Sequence, residues 1–83
     1  MRFRLLIDMD VVDVLSTLSA SKRRRLYTHF RKIQKFPGNS SKFVEQDNEG
    51  RSLNVSTYED ISIRYLIDDA DKHVKILQIV KNE

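Results

Sequence analysis

The stretch ISIRYLIDDADKHVKILQIV, residues 61–80, decides the fold. Apolar side chains recur at every second position through its first half, which is the pattern of a β-strand with one buried face. The segment 68–71 is polar and short, as a turn requires. Residues 73–80 are apolar on both faces toward their end, which is typical of a central strand. The stretch therefore predicts an antiparallel hairpin whose second strand is central, with Ile63 and Ile76 facing the core.

Further β segments precede this hairpin. Residues 51–57 alternate between apolar and polar, and Gly50 in the preceding turn tolerates positive φ. Residues 43–46 have no clear alternation and are either a short strand or an extended arm. Residues 2–7 alternate again and predict a first strand.

The segment between the first strand and residue 43 has helical periodicity. A short helix is predicted after Asp10, which is placed to accept hydrogen bonds as its N-cap. A second helix is predicted from Ser19 or Ser21 to about Phe36, where Pro37 and Gly38 end it. The apolar stripe of the second helix is Leu26, Phe30 and Ile33.

The order of elements predicts an α+β fold of the type β-α-α-β-β-β in one domain, residues 1–83. Two consecutive helices form a hairpin that packs on one face of an antiparallel sheet. A hairpin this short cannot cover both faces, so the other face of the sheet is expected to be open.

Composition excludes several classes of function. The chain has no cysteine, which excludes disulfides, thiolate metal sites and a cysteine nucleophile. It also has no apolar run near the ~18 residues that a membrane span needs. No phosphate-binding loop, nucleophile elbow or zinc-ligand spacing is present. We expect a cytoplasmic protein without a cofactor.

Charge is distributed unevenly along the chain, although the net charge is only +3. The stretch KRRRLYTHFRK, residues 22–32, contains six basic residues and no acid. On a helix, the basic residues opposite the apolar stripe form a row that matches a phosphate backbone. This row predicts a nucleic-acid-binding surface, and the alternative is an ordinary solvated helix face. The candidate residues are Arg24, Arg31, Lys32 and Lys35.

The element order, the helix-ending Pro37, the segment DNEGRSLNV (47–55) and the segment 61–79 together resemble the RelE/ParE superfamily of bacterial toxins. The similarity covers essentially the whole chain, and it is closest to a short, poorly characterised branch. The resemblance implies a toxin of a type II toxin–antitoxin system, neutralised by a cognate antitoxin. It further implies either mRNA cleavage on the ribosome, carried out by basic residues on the open face, or poisoning of DNA gyrase.

The catalytic set of the RelE-like enzymes is not carried over. RNA cleavage needs a group that activates the 2′-hydroxyl, cations for the charged phosphorane and an acid for the leaving oxygen. The positions that match the family's two lysines and two arginines hold no cation, and no tyrosine follows the last strand. These positions are occupied by Ser52, Asn54, Ser62 and Asn82.

Two other clusters are candidate sites. Arg64, His73 and Lys75 lie on the two strands of the central hairpin and would make a rearranged catalytic site on the open face if they converge. The acidic turn 68–71 lacks the glycine and distal glutamate of a calcium loop, so we expect a turn and no metal. Three hypotheses follow: a toxin that acts by binding, an mRNA interferase with a rearranged site, and a non-toxic nucleic-acid-binding domain.

Overall fold

The computed structural model describes residues 2–82. Met1 and Glu83, the two ends of the predicted domain, lie outside the described residues. Within this range no helix is long and apolar enough to cross a membrane. Seven elements follow one another along the chain: β1 (Arg4–Ile7), α1 (Met9–Ser16), α2 (Ala20–Lys35), β2 (Phe43–Gln46), β3 (Ser52–Tyr58), β4 (Ile61–Asp68) and β5 (His73–Lys81).

The five strands form one sheet in the order β1-β5-β4-β3-β2. The predicted α+β fold is confirmed, and β5 is an interior strand, as its apolar sequence indicated. Residues 43–46 are a true edge strand rather than an extended arm. The sheet is not antiparallel throughout, because β1 pairs in parallel with β5, with Ile7 opposite Ile76. The other strand pairs are antiparallel.

Both helices begin at capping side chains. The Asp8 carboxylate accepts a hydrogen bond from the backbone N–H of Asp10 and caps α1. The prediction of Asp10 as the cap was wrong, because the chain already turns out of β1 at Asp8 and Asp10 falls in the first helical turn. The Ser19 hydroxyl caps α2 by accepting from the N–H of Lys22. Capping of this kind stabilises a helix by about 1 kcal/mol.

The core lies between the two helices and one face of the sheet. Phe30 of α2 and the predicted pair Ile63 and Ile76 are completely buried in one cluster. Tyr27 lies at the edge of the apolar stripe and is 40% exposed, with its ring edge-on to that of Phe30. The other buried members of the cluster are Val11, Leu15, Leu26, Ile33, Ile61, Tyr65, Val74 and Ile79.

A buried hydrogen bond fixes the corner where α2 ends. The Tyr65 hydroxyl on β4 donates to the Pro37 carbonyl oxygen at 2.6 Å. Burial raises the pKa of Tyr65 to about 12, so the phenol stays protonated and remains a donor near neutral pH. The bond satisfies a buried carbonyl that would otherwise destabilise the fold by roughly 1–3 kcal/mol.

Truncation of Ile76 should destabilise the whole domain. Ile76→Ala is expected to lower the free energy of unfolding by about 2–5 kcal/mol, and Ile76→Val by about 0.5–1.5 kcal/mol, because both leave a cavity in the core. Gln78→Ala, an exposed position on the same strand, should change it by less than about 0.5 kcal/mol. Urea denaturation of the three variants measures this. An Ile76→Ala loss under about 1 kcal/mol would contradict the observed packing.

Candidate functional site

The open face of the sheet is more apolar than a nuclease site would be. Strand alternation directs Leu66 and Arg64 of β4 away from the helices, because their neighbours Tyr65 and Ile63 are in the core. The register places Val55 of β3 opposite Arg64, and Lys75 of β5 opposite Leu66. The strand side chains on the open face include Leu53, Val55, Ser62, Arg64, Leu66, Lys75, Leu77 and Gln78.

A β-bulge shapes a cleft at this face. Arg64 pairs with Gln78 while Tyr65 pairs with Ile76, so Leu77 is an extra residue in β5. The cleft beside the bulge has a volume of about 370 Å³. Its lining comes from α1, the β2–β3 turn and three strands, namely Asp10, Val11, Val14, Asp47, Arg51, Leu53, Arg64, Leu77, Gln78 and Ile79.

Both arginines of the cleft are neutralised by carboxylates. The guanidinium Nε of Arg64 lies 3.0 Å from an oxygen of Glu45, across the sheet on β2. The Nε of Arg51 lies 2.6 Å from Asp47. Burial opposes ionisation of Asp47, but hydrogen bonds from Arg51 and Glu49 outweigh it and lower the pKa of that carboxyl. The cleft therefore offers little free positive charge to a phosphate.

Arg64, His73 and Lys75 do not converge on one point. His73 of β5 is opposite Asp68 of β4, and Arg64 is four residues before Asp68 on the same strand. Arg64 and His73 are therefore about 13 Å apart along the sheet. His73 faces its own carboxylate, with Nε2 3.8 Å from Asp68. Lys75 lies between them, opposite Leu66. The three residues are therefore spread along the hairpin, and their interpretation as one rearranged catalytic site stays a prediction.

The positions that match the family's catalytic residues divide between the two faces. Ser56 of β3 bonds to His29 of α2, so Ser52 and Asn54 share the face that carries the helices. Ser62 lies on the open face, where the Asn82 amide donates to its hydroxyl oxygen at 2.8 Å. The two faces thus hold only neutral groups at these positions.

The acidic turn between β4 and β5 lies next to His73, the first residue of β5. The N–H of Asp71 donates to the Asp68 carboxylate at 2.9 Å, which closes the turn as predicted. The ligand atoms of Asp68, Asp71 and His73 lie within 4.8 Å of one another. The hydrogen bond already engages one Asp68 oxygen in the turn. The closure of the hairpin therefore explains why these side chains lie close together.

Free positive charge lies instead on the outer side of α2. The four predicted nucleic-acid-binding residues, Arg24, Arg31, Lys32 and Lys35, are all exposed. None of the four takes part in an ion pair with any other residue between 2 and 82. Two cations nearer the start of the helix form ion pairs: Lys22 lies 3.1 Å from Asp60, and Arg25 lies 3.7 Å from Glu59. We call these four residues the basic face.

A half-buried histidine helps to hold the basic face in position. His29 contacts the buried Ser56 hydroxyl of β3 at 3.0 Å, and its ring packs 5.1 Å from that of Tyr58. Burial, and then the charge of Lys32, lower the pKa of His29 below its ordinary value of 6.5. His29 thus lies at the boundary between the buried and the exposed sides of α2.

Two features of the site had no signal in a single sequence. Glu45 and Arg64 are 19 residues apart, and only the sheet register brings them together. Phe36 was predicted only as the approximate end of the second helix, and its side chain is 55% exposed beside the basic face.

Comparison with known proteins identifies the fold. No protein-family model and no curated protein sequence matches the chain. Among solved structures, the chain is similar to a chain of the crystal structure of the archaeal RelE–RelB complex from Pyrococcus horikoshii OT3. The TM-score is 0.80 at 23% sequence identity, and the match covers 98% of this chain and 96% of that one. The chain therefore has a RelE-like fold.

Acidification should weaken the attachment of α2 through His29. The folded state disfavours the protonated ring. The contribution of His29 to the free energy of unfolding is therefore fully present above pH 6.5 and is lost as pH falls through the lowered pKa. Urea denaturation at about pH 7.5 and about pH 5.5 should show this fall for the wild type. The variant His29→Gln, which cannot gain a charge, should lose most of the difference. An equal fall in both proteins would assign the effect to other groups.

Proposed function

We propose that this chain is the toxin component of a type II toxin–antitoxin pair, and that it acts in the cytoplasm by binding its target rather than by cleaving RNA. The observation that carries the proposal is a RelE-like fold with neutral groups at the positions that match the family's catalytic cations. A cognate antitoxin holds the protein inactive until the antitoxin is removed.

Exposed apolar side chains at two places support an antitoxin partner. Phe43 and Val44 on the edge strand β2 are 50% and 58% exposed, and Met9 at the start of α1 is 71% exposed. Apolar side chains grouped at a sheet edge or helix start are typical of an interaction surface. The RelE-like neighbour comes from a complex with RelB, which is consistent with a partner that covers such surfaces.

The electrostatics of the open face argue against cleavage. A phosphorane with two negative charges needs cations that are free to approach it. Arg64 is held by Glu45 at 3.0 Å, and Ser62 bonds to Asn82. Movement of Arg64 toward a substrate would leave the Glu45 carboxylate unpaired beside the phosphate, which would repel it.

The basic face supports action by binding. Arg24, Arg31 and Lys35 recur at intervals of seven and four residues, so they line one side of α2. The row is about 16 Å long, which allows contacts to several phosphates of one strand. The ribosome and other RNA are the targets that such a row fits, and a DNA gyrase complex is the other target known for this superfamily.

Induced expression in a bacterial host tests the proposal. Growth should stop on induction of the wild type and of Arg64→Ala, and should continue with the triple variant Arg24→Gln, Arg31→Gln and Lys35→Gln. The triple change should leave the melting temperature nearly unchanged, because exposed charges contribute less than about 1 kcal/mol each to folding. Primer extension on ribosome-bound mRNA should show no cuts above the control.

The same experiment separates the alternatives. Codon-specific cuts that disappear in Arg64→Ala would overturn the proposal in favour of an mRNA interferase. Growth that continues in every strain, with folded protein present, would contradict a toxin and favour a nucleic-acid-binding domain. Separate measurements of protein synthesis and of plasmid supercoiling then distinguish a ribosomal target from gyrase.

A further inference from the structure

A groove lies at the C-terminal end of α2, on the side away from the sheet cleft. Its volume is about 380 Å³. This α2 groove is lined by Thr28, Arg31, Lys32, Lys35 and Phe36. It combines three of the four residues of the basic face with an exposed aromatic ring in one concave surface.

The positive charge of the α2 groove is not compensated by nearby acids. Among residues 2–82 the only carboxylates close enough to α2 cations for an ion pair are Glu59 and Asp60, and both act at the start of the helix. The dipole at the C-terminal end of a helix explains a preference for cations in the last turn, where Lys32 and Lys35 lie. It does not explain Arg31, or Arg24 two turns before it, because the dipole acts only within the last turn.

The ring of Phe36 distinguishes the groove from a plain basic surface. Phe36 is the C-cap residue of α2, and its N–H donates to the Lys32 carbonyl oxygen. This backbone bond fixes the position of the residue while the side chain remains 55% exposed. An exposed aromatic face beside arginine and lysine side chains is the combination with which proteins hold single strands, because bases stack on the ring while cations contact the backbone.

The aromatic ring favours an unpaired strand over a duplex. In a duplex the base faces are already stacked on one another, so they are not free to stack on the Phe36 ring. In a single strand, a base can turn onto the Phe36 ring while the neighbouring phosphates contact Arg31 and Lys35. An acidic peptide would use the cations but would gain nothing specific from the aromatic ring.

We propose that the α2 groove binds a single-stranded nucleic acid, with its phosphates on Arg31, Lys32 and Lys35 and one unpaired base stacked on Phe36. The inference rests on the proposed function for the idea that the chain acts by binding, and it names the class of target. It is tested on purified protein, so a chain that is not toxic in cells can still bind, and a toxic chain can still fail to bind.

Fluorescence anisotropy with a short labelled oligouridine RNA is the test, at several salt concentrations. The groove variant Arg31→Gln, Lys32→Gln and Lys35→Gln should lower the affinity at least about tenfold and reduce the slope of log affinity against log salt by about 2, for three phosphate contacts. The variant Phe36→Leu, which keeps the apolar volume but removes the aromatic ring, should weaken binding by about fivefold or more. It should leave the salt slope unchanged.

A matched control removes the same charge elsewhere. The variant Arg2→Gln, Arg4→Gln and Lys75→Gln removes two cations at and just before the start of β1 and one from the open face. It should keep the wild-type affinity within about threefold and the same salt slope. Equal losses in the two triple variants would show that only net charge matters and would overturn the proposal. Circular dichroism should give all variants the wild-type melting curve, since every changed residue in the groove is exposed.

Competing ligands decide the class of partner. Duplex RNA of the same length should bind more weakly than the single strand to the wild type, and Phe36→Leu should abolish that preference. Duplex that binds as tightly as the single strand would contradict stacking on Phe36. A polyglutamate peptide that displaces the RNA at equal charge concentration would assign the groove to an acidic protein segment, and absence of binding to any of the three would overturn the proposal.

Discussion

The interior position of β5 is the constraint on which the rest of the structure depends. The strand pairs in parallel with β1 on one side and antiparallel with β4 on the other, and α1 and α2 both contact it. A parallel partner cannot be reached by a tight turn, so the chain between β1 and the antiparallel strands must cross one face of the sheet. The helix hairpin is this crossing, and its apolar stripe covers the face on which Ile76 lies.

Covering one face leaves two exposed surfaces of different chemistry. The open face has the bulge at Leu77 and a cleft, but its central guanidinium is bound to Glu45. The outer side of α2 carries unpaired cations, with an exposed ring at the end of the helix. A phosphate is attracted to unpaired charge, and the two arginines of the cleft are both paired with carboxylates. The fold thus resembles RelE while its free charge lies on the helix rather than in the sheet cleft.

Periodicity predicted those parts of the fold that depend on local sequence. The alternation in β4 and the apolar faces of β5 placed Ile63 and Ile76 correctly, and Pro37 ended α2 as expected. The cap of α1 was misplaced because two aspartates stand two residues apart and either side chain could accept the hydrogen bond. Contacts that depend on the strand register could not be predicted from a single sequence. One example is the Ser62–Asn82 hydrogen bond, which joins residues 20 positions apart. The parallel pairing of β1 was missed for the same reason, since strand direction is a property of the assembled sheet.

We propose that ligand contact occurs on α2 and not on the open sheet face. The most direct measurement is a two-dimensional amide NMR titration of the labelled protein with single-stranded RNA. We predict that the largest shift changes fall between Arg24 and Phe36, while the amides of Leu53, Arg64 and Lys75 remain in place. Changes concentrated on those three residues and around Leu77, with α2 unaffected, would contradict the account and return the function to the sheet cleft.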